Sequence, residues 1–241
     1  MEETLSSRIV TAGFFLYLFL QANVALCETI ISSEYFPIAD GNTWTYAVTA
    51  PRGDYTDTIT VLPGITLVNG VETKALQDSA GDIEYITSDK NGVKLYGFLV
   101  PSEGGSVNFA PPIVQGLGTM EIPFTANSAG AAEFILNGIG TYYLSYTYGS
   151  VFVKKEMLTV PAGAYETIRT DDTLRIFGDI AGQPFDVTDT WTTWNARYIG
   201  IVKESYTDSD GTEESVLIST NVSPPTAPGT TSLPWLQLLL D

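Results

Sequence analysis

The chain has 241 residues with a formal net charge of -17, from 28 acidic and 11 basic side chains. So few lysines and arginines exclude a nucleic-acid surface and disfavour an anionic membrane surface, while 44% hydrophobic and 12% aromatic residues suffice for a full buried core. Histidine is absent and Cys27 is the only cysteine. This removes Ser-His-Asp and Cys-His nucleophiles, His-ligated metals, thiolate clusters and any internal disulfide.

The first 27 residues read as a secretory signal peptide: a polar start ending at Arg8, an apolar run over 9–20 (IVTAGFFLYLFL) and a small-residue stretch, QANVALC. Two readings stand for its end. Ala25-Leu26-Cys27 fits a small-x-small cleavage site, and Val24-Ala25-Leu26-Cys27 fits a lipobox in which Cys27 would become a lipid-modified N-terminus. Export to the periplasm or cell envelope follows, with membrane attachment only if Cys27 is lipidated.

From Ile30 onward, apolar and β-branched residues alternate with polar ones over 43–49, 56–62, 66–68, 83–87 and 93–99. Asn69-Gly70 and Asn91-Gly92 supply the positive φ angles of two-residue turns, which predicts hairpins over 67–76 and 85–98. The stretch 101–118, PSEGGSVNFAPPIVQGLG, is too rich in Pro and Gly for a regular element, and is expected to be a long irregular connection whose Phe109, Ile113, Val114 and Leu117 form a lid.

The second half reads as extended runs over 132–136, 140–148 and 151–160, continuing over 164–170, 173–178, 185–191 and 198–206. In the run 141–148, Tyr142, Leu144, Tyr146 and Tyr148 fall on one face. That face is either an aromatic core face or, with Phe109, the lining of a groove for a sugar or amphipathic ligand. Asp208-Ser209-Asp210-Gly211 fails the EF-hand template at both ends, because with Gly211 at position six the first and twelfth positions are Tyr206 and Leu217. It reads as a hairpin turn. Residues 223–232 form a Pro, Thr and Ser linker, and 233–241 a short apolar tail in which Trp235, Leu236 and Leu239 would dock into a groove of this domain or of a partner.

Three motifs in order carry a family resemblance: Tyr35-Phe36-Pro37 with Gly41, Trp44 and Tyr46; Val160-Pro161-Ala162-Gly163 with Tyr165 and Glu166; and Trp194 with Gly200-Ile201-Val202-Lys203. The ordered set resembles the TapB-like bacterial exported proteins of unknown function, themselves distantly similar to LolA/LolB-type envelope lipoprotein carriers. The resemblance implies a strongly curved antiparallel sheet, and in the LolA and LolB relatives its concave face takes an acyl chain. It carries no catalytic residues.

The sequence therefore predicts an all-β fold, an antiparallel and strongly curved half-barrel or barrel-like meander with few or no helices besides the signal peptide. It is read as one β domain over 28–222. The expected function is a non-enzymatic exported envelope protein binding a lipid or other apolar or amphipathic ligand, without catalytic residues, cofactor or metal. The alternative is a structural or assembly module of the cell surface that docks on an envelope protein partner through its apolar tail.

Overall fold

In the computed structural model, which describes residues 29–208 and 211–225, antiparallel strands close on themselves. In chain order they are β1 (Thr29–Ile31), β2 (Thr43–Thr49), β3 (Tyr55–Val61), β4 (Thr66–Val68), β5 (Val71–Gln77), β6 (Ile83–Asp89), β7 (Gly92–Val100), β8 (Gly105–Leu117), β9 (Thr119–Glu121), β10 (Phe124–Leu136), β11 (Gly140–Val160), β12 (Gly163–Ile180), β13 (Gln183–Ala196), β14 (Gly200–Asp208) and β15 (Gly211–Thr220). Each barrel strand pairs with the next in sequence, β15 returns to β2, and β3 skips β4 to meet β5. The ring is an up-and-down meander of twelve strands, with β4 attached to the side of β5 and β9 leaving the ring to pair with β1. The expected curved antiparallel sheet is thus a closed barrel. Its narrowest seam is β3 against β5, only Thr60 opposite Gln77 and Val61 opposite Leu76.

Alternation decides which side each residue faces. On β11, Leu144, Tyr146 and Tyr148 are buried inward while Tyr143, Ser145 and Thr147 are exposed. On β12, Leu174 turns in while Thr173 and Arg175 turn out, and Thr188 and Thr190 of β13 are exposed. A membrane-spanning barrel carries its apolar band outside. On these three strands the buried apolar residues face inside, and threonine and charge are among those that face outside. Among the described residues, no helix is long and apolar enough to cross a membrane.

Turn chemistry fixes the register at several corners. Asn69 and Gly70 have φ of 51° and 77°, the left-handed pair of a two-residue hairpin turn, as the sequence predicts. In the β6–β7 hairpin, Asp89 pairs with Gly92, which places the loop at Lys90-Asn91, one residue before the predicted Asn91-Gly92. Gly92 needs to be glycine for a different reason. Its φ is 121°, and a methyl group there would run into the carbonyl of Gly116 on β8.

The irregular connection expected over 101–118 is corrected by the structure. A short 3-10 turn, Pro101–Glu103, leads directly into the thirteen-residue strand β8. Its two prolines fall where pairing with β7 jumps from Asn108 to Ile113, so their missing N–H groups break no ladder bond on that side. The Pro111 carbonyl accepts from the Tyr146 hydroxyl at 2.6 Å. Phe109 and Ile113 are core residues of a wall strand, and no lid exists at this position.

One barrel end is closed. The segment after β1, a 3-10 turn at Ser32–Tyr35, touches β6, β7 and β14, which lie on opposite sides of the ring, so it crosses the mouth. The Ser88 hydroxyl donates to the Phe36 carbonyl at 2.8 Å, Arg197 pairs with Glu34 at 2.8 Å, and Ile30, Tyr35, Met120, Phe152 and Ile168 pack beneath. The three resemblance motifs meet at this end. The Trp44 indole donates to the Ile199 carbonyl at 2.6 Å and the Tyr46 hydroxyl to the Ile201 carbonyl at 2.8 Å, while Val160 and Val202 pack in the same cluster. Their first role is to floor the barrel.

Candidate functional site

The opposite end is where the loops joining β2 to β3, β5 to β6, β7 to β8, β10 to β11 and β12 to β13 gather. Two arcs of different chemistry line the barrel below it. On β7, β8 and β10 to β13 the inward face is aromatic and aliphatic. Phe109 packs edge-on against Tyr146 at 5.0 Å and Phe98 packs on Phe109 at 5.6 Å, while Phe134 and Phe185 meet at 5.9 Å across the two strands between them. Of the four residues expected as a ligand face, Phe109, Tyr146 and Tyr148 are fully buried here, and Tyr142 is half-buried nearer the rim. Tyr148 donates to Asp172 at 2.6 Å, and Thr170 reaches the other carboxylate oxygen at 3.2 Å. Burial nevertheless raises the affinity of Asp172 for its proton, and burial with the neighbouring Asp172 charge raises Tyr148.

The facing arc is acidic. Glu84 sits in phase with buried Ile86 and opposite Phe98, and Glu204 sits in phase with fully buried Val202, opposite Thr193 and Ser215. Five steps around the ring separate β6 from β14, so the two side chains enter the interior from different sides of the barrel, and the Glu84 charge acts on Glu204. Glu204 is pushed up to about 7, by burial first and then by Glu84, Asp172 and Glu213. Glu84 is raised by the same loss of solvation and by Asp78. Glu84 is nevertheless exposed.

Tyrosines satisfy two further acids of the barrel interior. Tyr206 donates to Asp189 at 2.9 Å and Tyr55 to Glu213 at 3.1 Å, and burial with the Glu213 bond pushes Tyr55 up to about 12. Among the described residues, the carboxyl groups of Glu84 and Glu204 have no hydrogen bond or ion pair, and no cation lowers either of them. Lys74 is taken by Asp40 towards the closed end, and Arg169, Arg175 and Lys203 pair on the outer face. Half-buried Phe98, Tyr142, Phe185 and Trp191 border the acidic arc, and Val187, facing inward, is 42% exposed. This end sets two proton-affine carboxyl groups beside apolar surface. No group of three or more acidic side chains among the described residues is placed to hold a metal ion.

Sequence reasoning missed Glu84 and Glu204 because each is an isolated acid. The signal that could have found them is phase: each occupies an inward position of an otherwise apolar alternation. Cys27, Trp235, Leu236 and Leu239 lie outside the described residues.

No protein-family model matches the sequence, and no curated protein matches it. Three solved structures are similar in part. A candidate lipoprotein from Parabacteroides distasonis is 12% identical, covers 77% of this chain and 97% of its own, and has a TM-score of 0.43. A candidate exported protein with a YmcC-like fold from Bacteroides fragilis is 13% identical over 77% of this chain and 97% of its own, with a TM-score of 0.40. The hypothetical lipoprotein YmcC from Escherichia coli is 8% identical over 88% of this chain and 95% of its own, with a TM-score of 0.43. All three carry the names of lipoproteins or exported proteins, and none is named a TapB, LolA or LolB protein. Likeness at TM-scores of 0.40 to 0.43 fixes neither fold nor function for this chain.

Proposed function

We propose that the chain is a non-enzymatic exported protein of the cell envelope whose open barrel mouth binds an amphipathic ligand with a cationic polar end. The observation that carries this reading is the pair Glu84 and Glu204, two inward-phase carboxyl groups with no hydrogen bond or ion pair among the described residues, bordered by partly exposed aromatics. Leaving such groups charged and unpaired costs stability, and an ammonium or amidinium group seated beside them offsets that cost through charge-assisted hydrogen bonds. The ligand's apolar part would lie on Phe98, Phe185 and Trp191. An anionic head, as on a fatty acid or a phosphatidic acid, meets repulsion here.

The signal-like order of residues 1–27 supports export. If Cys27 is acylated, the lipid is attached two residues before Thr29, the start of the segment that closes the barrel floor, so the floor faces the bilayer and the ligand mouth faces away from it. Native mass spectrometry of the protein purified from its own envelope tests the reading. A stoichiometric amine-bearing amphiphile supports it, and an anionic lipid or a consistently ligand-free protein refutes it.

A further inference from the structure

A groove of about 650 Å³ opens on the outside of the closed end. One wall is the start of β12, with Ala164 and Tyr165; the floor is Ala196 and Ile199; the other wall runs from Ile218 to Pro224. The walls are tied together, since the Ala162 amide donates to the Leu217 carbonyl at 3.1 Å. Ile218 turns outward beside fully buried Leu217 and stays 36% exposed. The charged groups at the rim are already engaged, Arg197 by Glu34 at 2.8 Å and Glu166 by Lys155 at 3.8 Å. The remaining lining is mostly apolar, with the hydroxyls of Ser219, Thr220 and Ser223 along one wall. It suits apolar side chains rather than a charged ligand.

We infer that this groove seats the chain's own residues 233–240, with Trp235 and Leu236 as its anchors. Val222, Ser223 and Pro224 are themselves wall residues, so the chain enters 226–232 from the groove's edge. Seven residues, TAPGTTS, at about 3.1 Å each reach about 20 Å when extended, which keeps residues 233–240 within reach of the groove beside Pro224. A tether that short holds the apolar segment near its seat at an effective concentration on the order of millimolar, which favours it over a free competitor of similar composition. Six of the eight residues 233–240 are Leu or Trp, matching the aliphatic floor. The Val160-Pro161-Ala162-Gly163-Ala164-Tyr165-Glu166 motif thus has a second use: its outer side walls a seat for the end of the same chain.

Amide hydrogen exchange tests this on the full chain, on the double variant Trp235→Ala, Leu236→Asp, and on Ile218→Asp. Both variants should lose at least tenfold protection over 162–166 and 218–222, with the rest of the barrel unchanged. A synthetic peptide of residues 226–241, added to a chain ending at Pro225, should restore it. Unchanged exchange in the Trp235 and Leu236 variant overturns the inference. So does protection that rises with protein concentration, which assigns the groove to a second copy, or a peptide that fails to protect a chain whose barrel remains folded. The inference is independent of the barrel mouth: binding of a dodecyltrimethylammonium probe there should be the same in all these variants.

Discussion

Replacing Glu204 by glutamine should stabilise the protein above neutral pH and flatten its response to acid. In the folded barrel Glu204 is raised from 4.5 to about 7, so between those values the native state holds a proton that the unfolded chain releases. The associated stability is fully present below pH 4.5 and is lost as pH rises through 7. At about 1.4 kcal/mol for each pH unit, the difference comes to about 3 kcal/mol. Water in the mouth screens part of it, so a change of about 2 to 3 kcal/mol is expected. Asp172 and Glu84 are raised as well and act in the same direction. The groups lowered by ion pairs, Glu156 and Asp186, act in the opposite direction but below their ordinary values of 4.5 and 3.8, outside the window. The assay is urea unfolding of wild type and Glu204→Gln at pH 5 and pH 8. Wild type should be the more stable at pH 5, and the variant should recover most of the difference at pH 8. Equal pH dependence in the two proteins would refute this account of Glu204.

Three further outcomes follow from individual contacts. Tyr148→Phe removes the donor to Asp172, and should cost about 1 to 3 kcal/mol in the same assay. The loss should be larger at pH 8 than at pH 5, because Asp172 is then raised further. Trp44→Phe leaves the Ile199 carbonyl without the indole and opens space in the floor cluster; about 3 kcal/mol should be lost, read as a shift in denaturant midpoint at constant slope. Ala181→Asn should gain up to about 1 kcal/mol, or about 2 to 4 °C in Tm by calorimetry, since Ala181 holds φ of 54° beside Gly182 in a two-residue turn that asparagine adopts at less cost.

The fold was largely legible because its signals are local. The alternation from Tyr142 to Tyr148 placed one face inward, and Asn69-Gly70 announced its turn. Strand lengths were not legible: β11 and β12 run through Gly149-Ser150 and Asp171-Asp172, which read as breaks. The sheet keeps them because Ser150 and Asp172 pair with each other inside the barrel, where Asp172 also receives Tyr148 and Thr170. Residues 101–118 were misread for a related reason. Pro111 and Pro112 sit at a register jump, and Gly118 is required by backbone approach rather than by flexibility, since a methyl group there would strike the Lys90 carbonyl. The acidic arc is beyond local reading, because Glu84 and Glu204 are 120 residues apart and share one interior only when β15 closes on β2 and β3 on β5.

The central claim is that the open mouth selects a cationic amphiphile, and titration calorimetry at pH 8 with two probes of equal chain length tests it most directly. Dodecyltrimethylammonium and dodecyl sulfate, both below their micelle concentrations, are compared on wild type and on the Glu84→Gln, Glu204→Gln double variant. The ammonium should bind wild type with one-to-one stoichiometry, weaken at least tenfold in the variant, and outcompete the sulfate. Equal binding of the two probes, preference for the sulfate, or ammonium binding that survives in the variant would contradict the account.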